Sequence, residues 1–169
     1  MAGAPRRPRI LIAGVGNVLR GDDGFGVAAA WRLMARDDLP QGVKVIETGI
    51  GGMSLVQELM SGYDALILLD ACRCGDTPGR LYLIEPDVPN AAGFDPDTRR
   101  EYFADTHYAT PIRALALLRA VAQLPAVIRI VGCEPDRVDE FRLGLSAPVE
   151  GALSEAASLV MQLIDEFHG

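Results

Sequence analysis

Residues 13–27 read AGVGNVLRGDDGFGV, and the reading of this stretch decides the fold. It follows an apolar run, 9–13, that suits a buried strand. It leads into an amphipathic run, 23–35, that suits a helix with Val27, Trp31 and Met34 or Ala35 turned inwards. Strand, glycine-rich turn and helix in that order open a layered α/β unit. Such turns commonly wrap a phosphate, yet Asp22 and Asp23 stand where cations would be needed. A dinucleotide fingerprint fails because Leu19 occupies the third glycine position after Gly14 and Gly16. A P-loop fails too: Gly16 and Gly21 have its spacing, but two acids replace Lys and Ser or Thr and would repel a triphosphate. The loop is expected to face a cation, although Asp22 would also serve as the N-cap of the helix and Asp23 as a favourable charge on its dipole.

Working outward, short apolar runs alternate with helical patterns. Strands are expected at 43–47, 65–70, 81–85 and 127–132, with helices at 53–60, 110–123 and 146–167. ALILLD at 65–70 is apolar throughout, as a strand buried on both faces must be. Residues 71–79 are too few for a parallel crossover, which needs about a dozen or more, so LYLIE at 81–85 is expected to lie antiparallel at an edge. The polar stretch 86–108 carries Pro86, Pro89 and Pro96 and reads as a long loop that returns the chain along the strand direction. Thr110 and Pro111 mark a helix start, and Ser146 caps a last helix whose inner stripe is Leu153, Ala157, Val160 and Ile164. The fold class is α/β: one domain over 1–169, three-layer α/β/α, with a mostly parallel five-stranded sheet and one antiparallel edge strand, phosphorylase/hydrolase-like.

Composition narrows the function. Of the 169 residues, 23 are acids and 16 are bases, for a net charge of −7. With no basic stripe, neither nucleic acid nor an anionic membrane is an expected partner. Arg6, Arg7 and Arg9 precede an apolar run, but that run ends at Val15 and acids follow, so a secretory signal is not expected, and no stretch reaches the length of a membrane span. Three cysteines, Cys72, Cys74 and Cys133, make no disulfide framework, and a cytoplasmic location is expected.

In a parallel sheet the strand carboxyl ends share one edge with the following helix starts, and ligands bind there. That edge receives Asp22 and Asp23 after the first strand, Glu47 after the second, Asp70 after the third, and His107 just before the Thr110 cap. Each has a structural reading as a cap or a hydrogen-bonded loop residue. Together, Asp23, Asp70 and His107, with Glu47 near, make an oxygen and nitrogen donor set suited to a divalent transition ion between manganese and zinc. A phosphoryl-receiver domain is discounted because the single Lys, Lys44, lies in the second strand. Structural zinc at Cys72 and Cys74 is discounted because C-x-C lacks the usual C-x₂-C spacing and a second pair. No Ser or Cys stands in a nucleophile elbow.

GVGNVLRGDDGFG, LILLDA, the position of His107 before a helix, GCEP and GLSAPVEGAL occur in this order. Together they resemble the maturation endopeptidases of nickel-iron hydrogenases over nearly the whole chain. The resemblance implies an endopeptidase that removes a short C-terminal extension from the hydrogenase large-subunit precursor after nickel insertion. It implies catalytic and nickel-contacting roles for Asp23, Asp70 and His107, and substrate contacts at Asn17, Glu47, Gly49 and Gly51. Nickel would arrive with the substrate and be weakly held or absent in the isolated protein, expected to be a monomer. The family often has Glu at position 23, and ETGIGGM at 47–53 departs from its D-G-G-T-x-G-M. Water could be activated by the nickel or by Asp23 as base. The alternative is a non-catalytic nickel chaperone for hydrogenase assembly. A peptidyl-tRNA hydrolase shares the G-x-G-N opening but is disfavoured by the acidic surface.

Overall fold

The computed structural model describes residues 6–104, 110–139 and 141–169. Strand β1 (Ile10–Val15) forms the middle of the molecule because its apolar side chains serve both faces of the sheet. Ile10 and Ile12 enter one core, and Leu11 and Ala13 enter the other. The same period-2 division runs along β3 (Ala65–Ala71), with Ile67 and Leu69 on the first side and Leu66 and Leu68 on the second. Helices α1 (Phe25–Met34) and α5 (Ala147–His168) cover the first face. Helices α2 (Gly52–Leu59) and α4 (Pro111–Val121) cover the second. These are the three expected layers.

With β2 (Val43–Gly49), β4 (Leu81–Ile84) and β5 (Val127–Cys133), the sheet has the order β2-β1-β3-β5-β4. All neighbours are parallel except β4, which runs antiparallel to β5 at the edge, as expected from the short 71–79 connection. The stretch 86–108 does return the chain, since it starts at the amino end of β5 and α4 starts near Asp70 at the carboxyl end. It is not structureless, however. It contains a 3₁₀ turn and α3 (Pro96–Ala104), begun by Asp95, whose Oδ1 accepts from the Asp97 and Thr98 N–H groups at 3.1 and 3.0 Å. Asp followed by Pro is a helix start as good as Thr110–Pro111, but the surrounding prolines and charges mask it.

Two glycines explain how the opening loop sits. A Cβ on Gly26 would lie 2.0 Å from the Leu69 carbonyl oxygen, and one on Gly14 would lie 2.2 Å from that of Gly26, so α1 lies directly against the sheet. This close approach sets which face of α1 points inwards. Gly26, Ala30 and Leu33 face the strands, and the expectation of Trp31 and Met34 there is corrected: they are exposed. A tryptophan has no room in a contact built for a bare backbone.

Candidate active site

Asp23 and Asp70 meet in a cavity of about 420 Å³ at the carboxyl ends of β1 and β3, lined also by Asn17, Arg20, Ile50 and the Thr110–Pro111 start of α4. Asp23 sits on a 3₁₀ turn (Gly21–Gly24), held by the Asn17 N–H, which donates to its Oδ2 at 2.9 Å. Gly16, at φ +135, lets the loop fold back so tightly that a Cβ there would lie 1.8 Å from the Asp23 carbonyl oxygen. Asp70 is partly buried at the end of β3. Burial, and then the charge of Asp23, push its carboxyl up to about 7. Among the described residues neither acid is in an ion pair, and Arg20, the one cation in the described lining, lies 4.0 Å from Asp139 instead.

The raised Asp70 pKa carries a sign. The folded state prefers the neutral acid, so this carboxyl favours folding most below its unfolded value of 3.8 and progressively disfavours it as pH rises to about 7. Asp70→Asn, neutral at every pH, is therefore expected to raise Tm at pH 8 by roughly 3–6 °C and to change it little at pH 4. Calorimetry at the two pH values checks this, and an equal shift at both would show that the ionisation is not responsible.

Asp22 has a different position from its neighbour. It is 1% exposed and points away from the cavity into the β5–α5 loop. Its carboxylate accepts from the N–H groups of Asp136 (2.8 Å), Arg137 (3.1 Å) and Ser146 (2.6 Å), and from the Ser146 hydroxyl (2.8 Å). Burial raises its pKa, but these four bonds outweigh burial and leave it below 3.8. Two expectations are thereby corrected. Asp22 neither caps α1 nor faces a cation, and Ser146 spends its hydroxyl on Asp22 and not on capping α5. A buried carboxylate satisfies more donors than a solvent-facing cap, which is why it is pulled inwards. Asp22→Asn places an amide N–H₂ against these donors and is expected to cost about 2–4 kcal/mol, lowering the urea midpoint at pH 7. The loss disappears as pH falls through the depressed Asp22 pKa, since the parent then loses the same charge.

The other sequence-derived residues divide. Asn17 lines the cavity, but Glu47, Gly49 and Gly51 do not. The reason is a register shift: Gly14 pairs with Glu47, whereas Val15 pairs with Gly49, which carries β2 past the expected end. Glu47 is left exposed on the edge strand, and Ile50 is the residue that reaches the cavity. His107 lies outside the described residues. Arg20 and Ile50 were missed, because nothing in the sequence distinguishes them from ordinary loop residues. Among the described residues no group of three or more His, Cys, Asp or Glu is placed to hold a metal ion, and the two carboxylates stand as a pair. A larger cleft, about 540 Å³, opens at the amino edge; there Glu85 lies 3.4 Å from Arg129, and Arg119 holds the Val88 carbonyl.

A parallel α/β sheet with two unneutralised acids at the carboxyl ends of adjacent strands defines an α/β enzyme with its site at the usual edge. Comparison with known proteins gives the particular family. The sequence profile of the HycI family, hydrogenase maturation protease, matches residues 27–163. The hydrogenase expression/formation protein HoxM of Azotobacter vinelandii is 32% identical over 160 residues, covering 94% of this chain and 73% of that protein. The hydrogenase 2 maturation protease of Escherichia coli K12 is 29% identical, covering 94% and 92%. The solved structure of the hydrogenase maturating endopeptidase HybD from E. coli superposes with a TM-score of 0.75 at 28% identity, covering 94% and 93%. The chain belongs to the hydrogenase maturation protease family, and it is a protease.

Proposed function

We propose that this chain cleaves the C-terminal extension from the large-subunit precursor of a nickel-iron hydrogenase after nickel has been inserted, with the nickel belonging to the substrate. The observation that carries this reading is the convergence of Asp23 and Asp70, neither in an ion pair among the described residues, on one open cavity. The charge of Asp23 adds to the cost of ionising Asp70, and a divalent ion between the two would offset it. His107 stands three residues before Thr110, which lines the same cavity, and it is proposed as the nitrogen ligand that completes the set.

In this reading the substrate's nickel is a handle. Held by the two acids, it fixes the adjacent peptide bond against the cavity wall, and positioning of this kind lowers a barrier by several kcal/mol. Hydrolysis consumes one water, whose proton passes to a base as its oxygen bonds to the scissile carbonyl carbon. The amide nitrogen then takes a proton as the bond breaks. Asp23, anchored by Asn17, is placed to act as that base. Among the described residues no helix is long and apolar enough to cross a membrane, and the three cysteines are unpaired. Incubation with nickel-loaded precursor, followed by intact-mass analysis, tests the reading. Loss of the extension supports it, and transfer of nickel without loss of mass supports a chaperone in its place.

A further inference from the structure

Arg20 shares the cavity with Asp23 and Asp70 and, as a cation without an acceptor, cannot help them hold a metal. Its backbone is fixed. The Arg20 N–H donates to the Asn17 carbonyl at 3.0 Å, its carbonyl accepts from the Asp23 N–H at 3.3 Å, and the residue bridges to Arg142, whose N–H donates to the Leu19 carbonyl at 2.9 Å. The Asn17 N–H in turn donates to Asp23 Oδ2 at 2.9 Å. Arg20 and the acid proposed as base are therefore mounted on one short turn, at a separation that the backbone sets.

The guanidinium is not fixed in the same way. Among the described residues it makes no hydrogen bond, and its ionic neighbour, Asp139, lies 4.0 Å away, beyond hydrogen-bond reach. Asp139 gives its other oxygen to Arg73 at 2.6 Å. With side chains 47% and 76% exposed, the Arg20–Asp139 contact contributes little, and the planar fork of Arg20 donors is available to another carboxylate. Charge also sorts the cavity. The Asp139 carboxyl is held below its usual range first by Arg73 and more weakly by Arg20, whereas Asp70 answers to burial and to Asp23. The cation thus stands on the Asp139 side, apart from the two acids. A substrate carboxylate is repelled by the acids and attracted by Arg20, and a metal ion behaves in reverse, so a chain carrying both lies in one direction only.

We propose that Arg20 sets the substrate's register: its guanidinium binds a carboxylate of the precursor, from an acidic side chain near the scissile bond or from the C-terminus of the extension, and so places that bond opposite Asp23. This rests on the endopeptidase reading above and adds a second point of attachment to the metal handle. Arg20→Ala keeps the backbone bonds of the turn and is expected to keep the parent Tm. With nickel-loaded precursor it is expected to raise KM at least tenfold with kcat within twofold, and to raise Kd as much, read by anisotropy of fluorescently labelled precursor. Arg20→Lys, which keeps the charge but not the fork, recovers part of the loss. Added salt weakens binding to the parent more than to Arg20→Ala. Precursors in which each acid flanking the cleavage position is replaced in turn by its amide, and one with an amidated C-terminus, separate the two sources. One of these changes is expected to weaken binding to the parent as Arg20→Ala does and to add nothing to that variant. Weaker binding by Arg20→Ala, where the parent binds but does not cleave, would overturn the endopeptidase reading and leave the anchor standing. Cleavage by the parent with unchanged KM in Arg20→Ala, a loss confined to kcat, or additivity with every carboxylate change would overturn the anchor and leave the reading standing. Absence of cleavage, with binding absent or unchanged by Arg20→Ala, would overturn both.

Discussion

Asp70→Asn and Asp23→Ala are each expected to slow processing of nickel-loaded precursor at least about a hundredfold, the lower range for loss of a group acting directly at a reacting centre. Neither is expected to unfold the protein. Asp70 is in no ion pair among the described residues, and its ionisation is already opposed by burial and by Asp23. Removing one acid relieves the other, so activity and stability should move in opposite directions at pH 8. Asp23→Glu should be the mildest change, because a longer acid reaches the same cavity, although it disturbs the bond from the Asn17 N–H. His107→Ala is expected to match Asp70→Asn in rate. Single-turnover cleavage read by gel shift, alongside Tm, separates the outcomes. A variant that loses both rate and fold is structural, and a rate within tenfold of the parent removes that residue from the site.

How much of this was legible in the sequence depends on where each signal lay. Binary patterning sufficed for the layers, because ALILLD and ILIAGV serve two cores at once and only a central parallel strand asks for that. A length argument placed β4 antiparallel at the edge. The inner face of α1 was misjudged because a helix pressed on glycines buries small residues, whereas apolar periodicity weights the large ones, Trp31 and Met34. At the site, Asp23 and Asp70 were legible as strand-end acids. The division of labour between Asp22 and Asp23 was not, because it depends on donors 114 to 124 residues away in sequence. Glu47 was misplaced by a register shift that only the paired strand reveals. The segment between β5 and α5 entered the sequence reading only through GCEP and GLSAPVEGAL. Its backbone proves to be the partner of Asp22, and its Phe141 and Leu143 are exposed.

Nickel dependence should be the larger effect and should belong to the substrate. A pair of carboxylates on an open rim, with at most one further ligand from His107, holds a divalent ion weakly, because the remaining positions belong to another molecule. Chelator-treated protease is therefore expected to process nickel-loaded precursor at an undiminished rate. Nickel added to the protease is not expected to restore cleavage of nickel-free precursor. The most direct test is the intact mass of nickel-free and nickel-loaded precursor, each incubated with the same chelator-treated protease. The expected result is loss of the C-terminal extension from the loaded precursor alone. Trimming of both at comparable rates would contradict a substrate-borne nickel handle between Asp23 and Asp70.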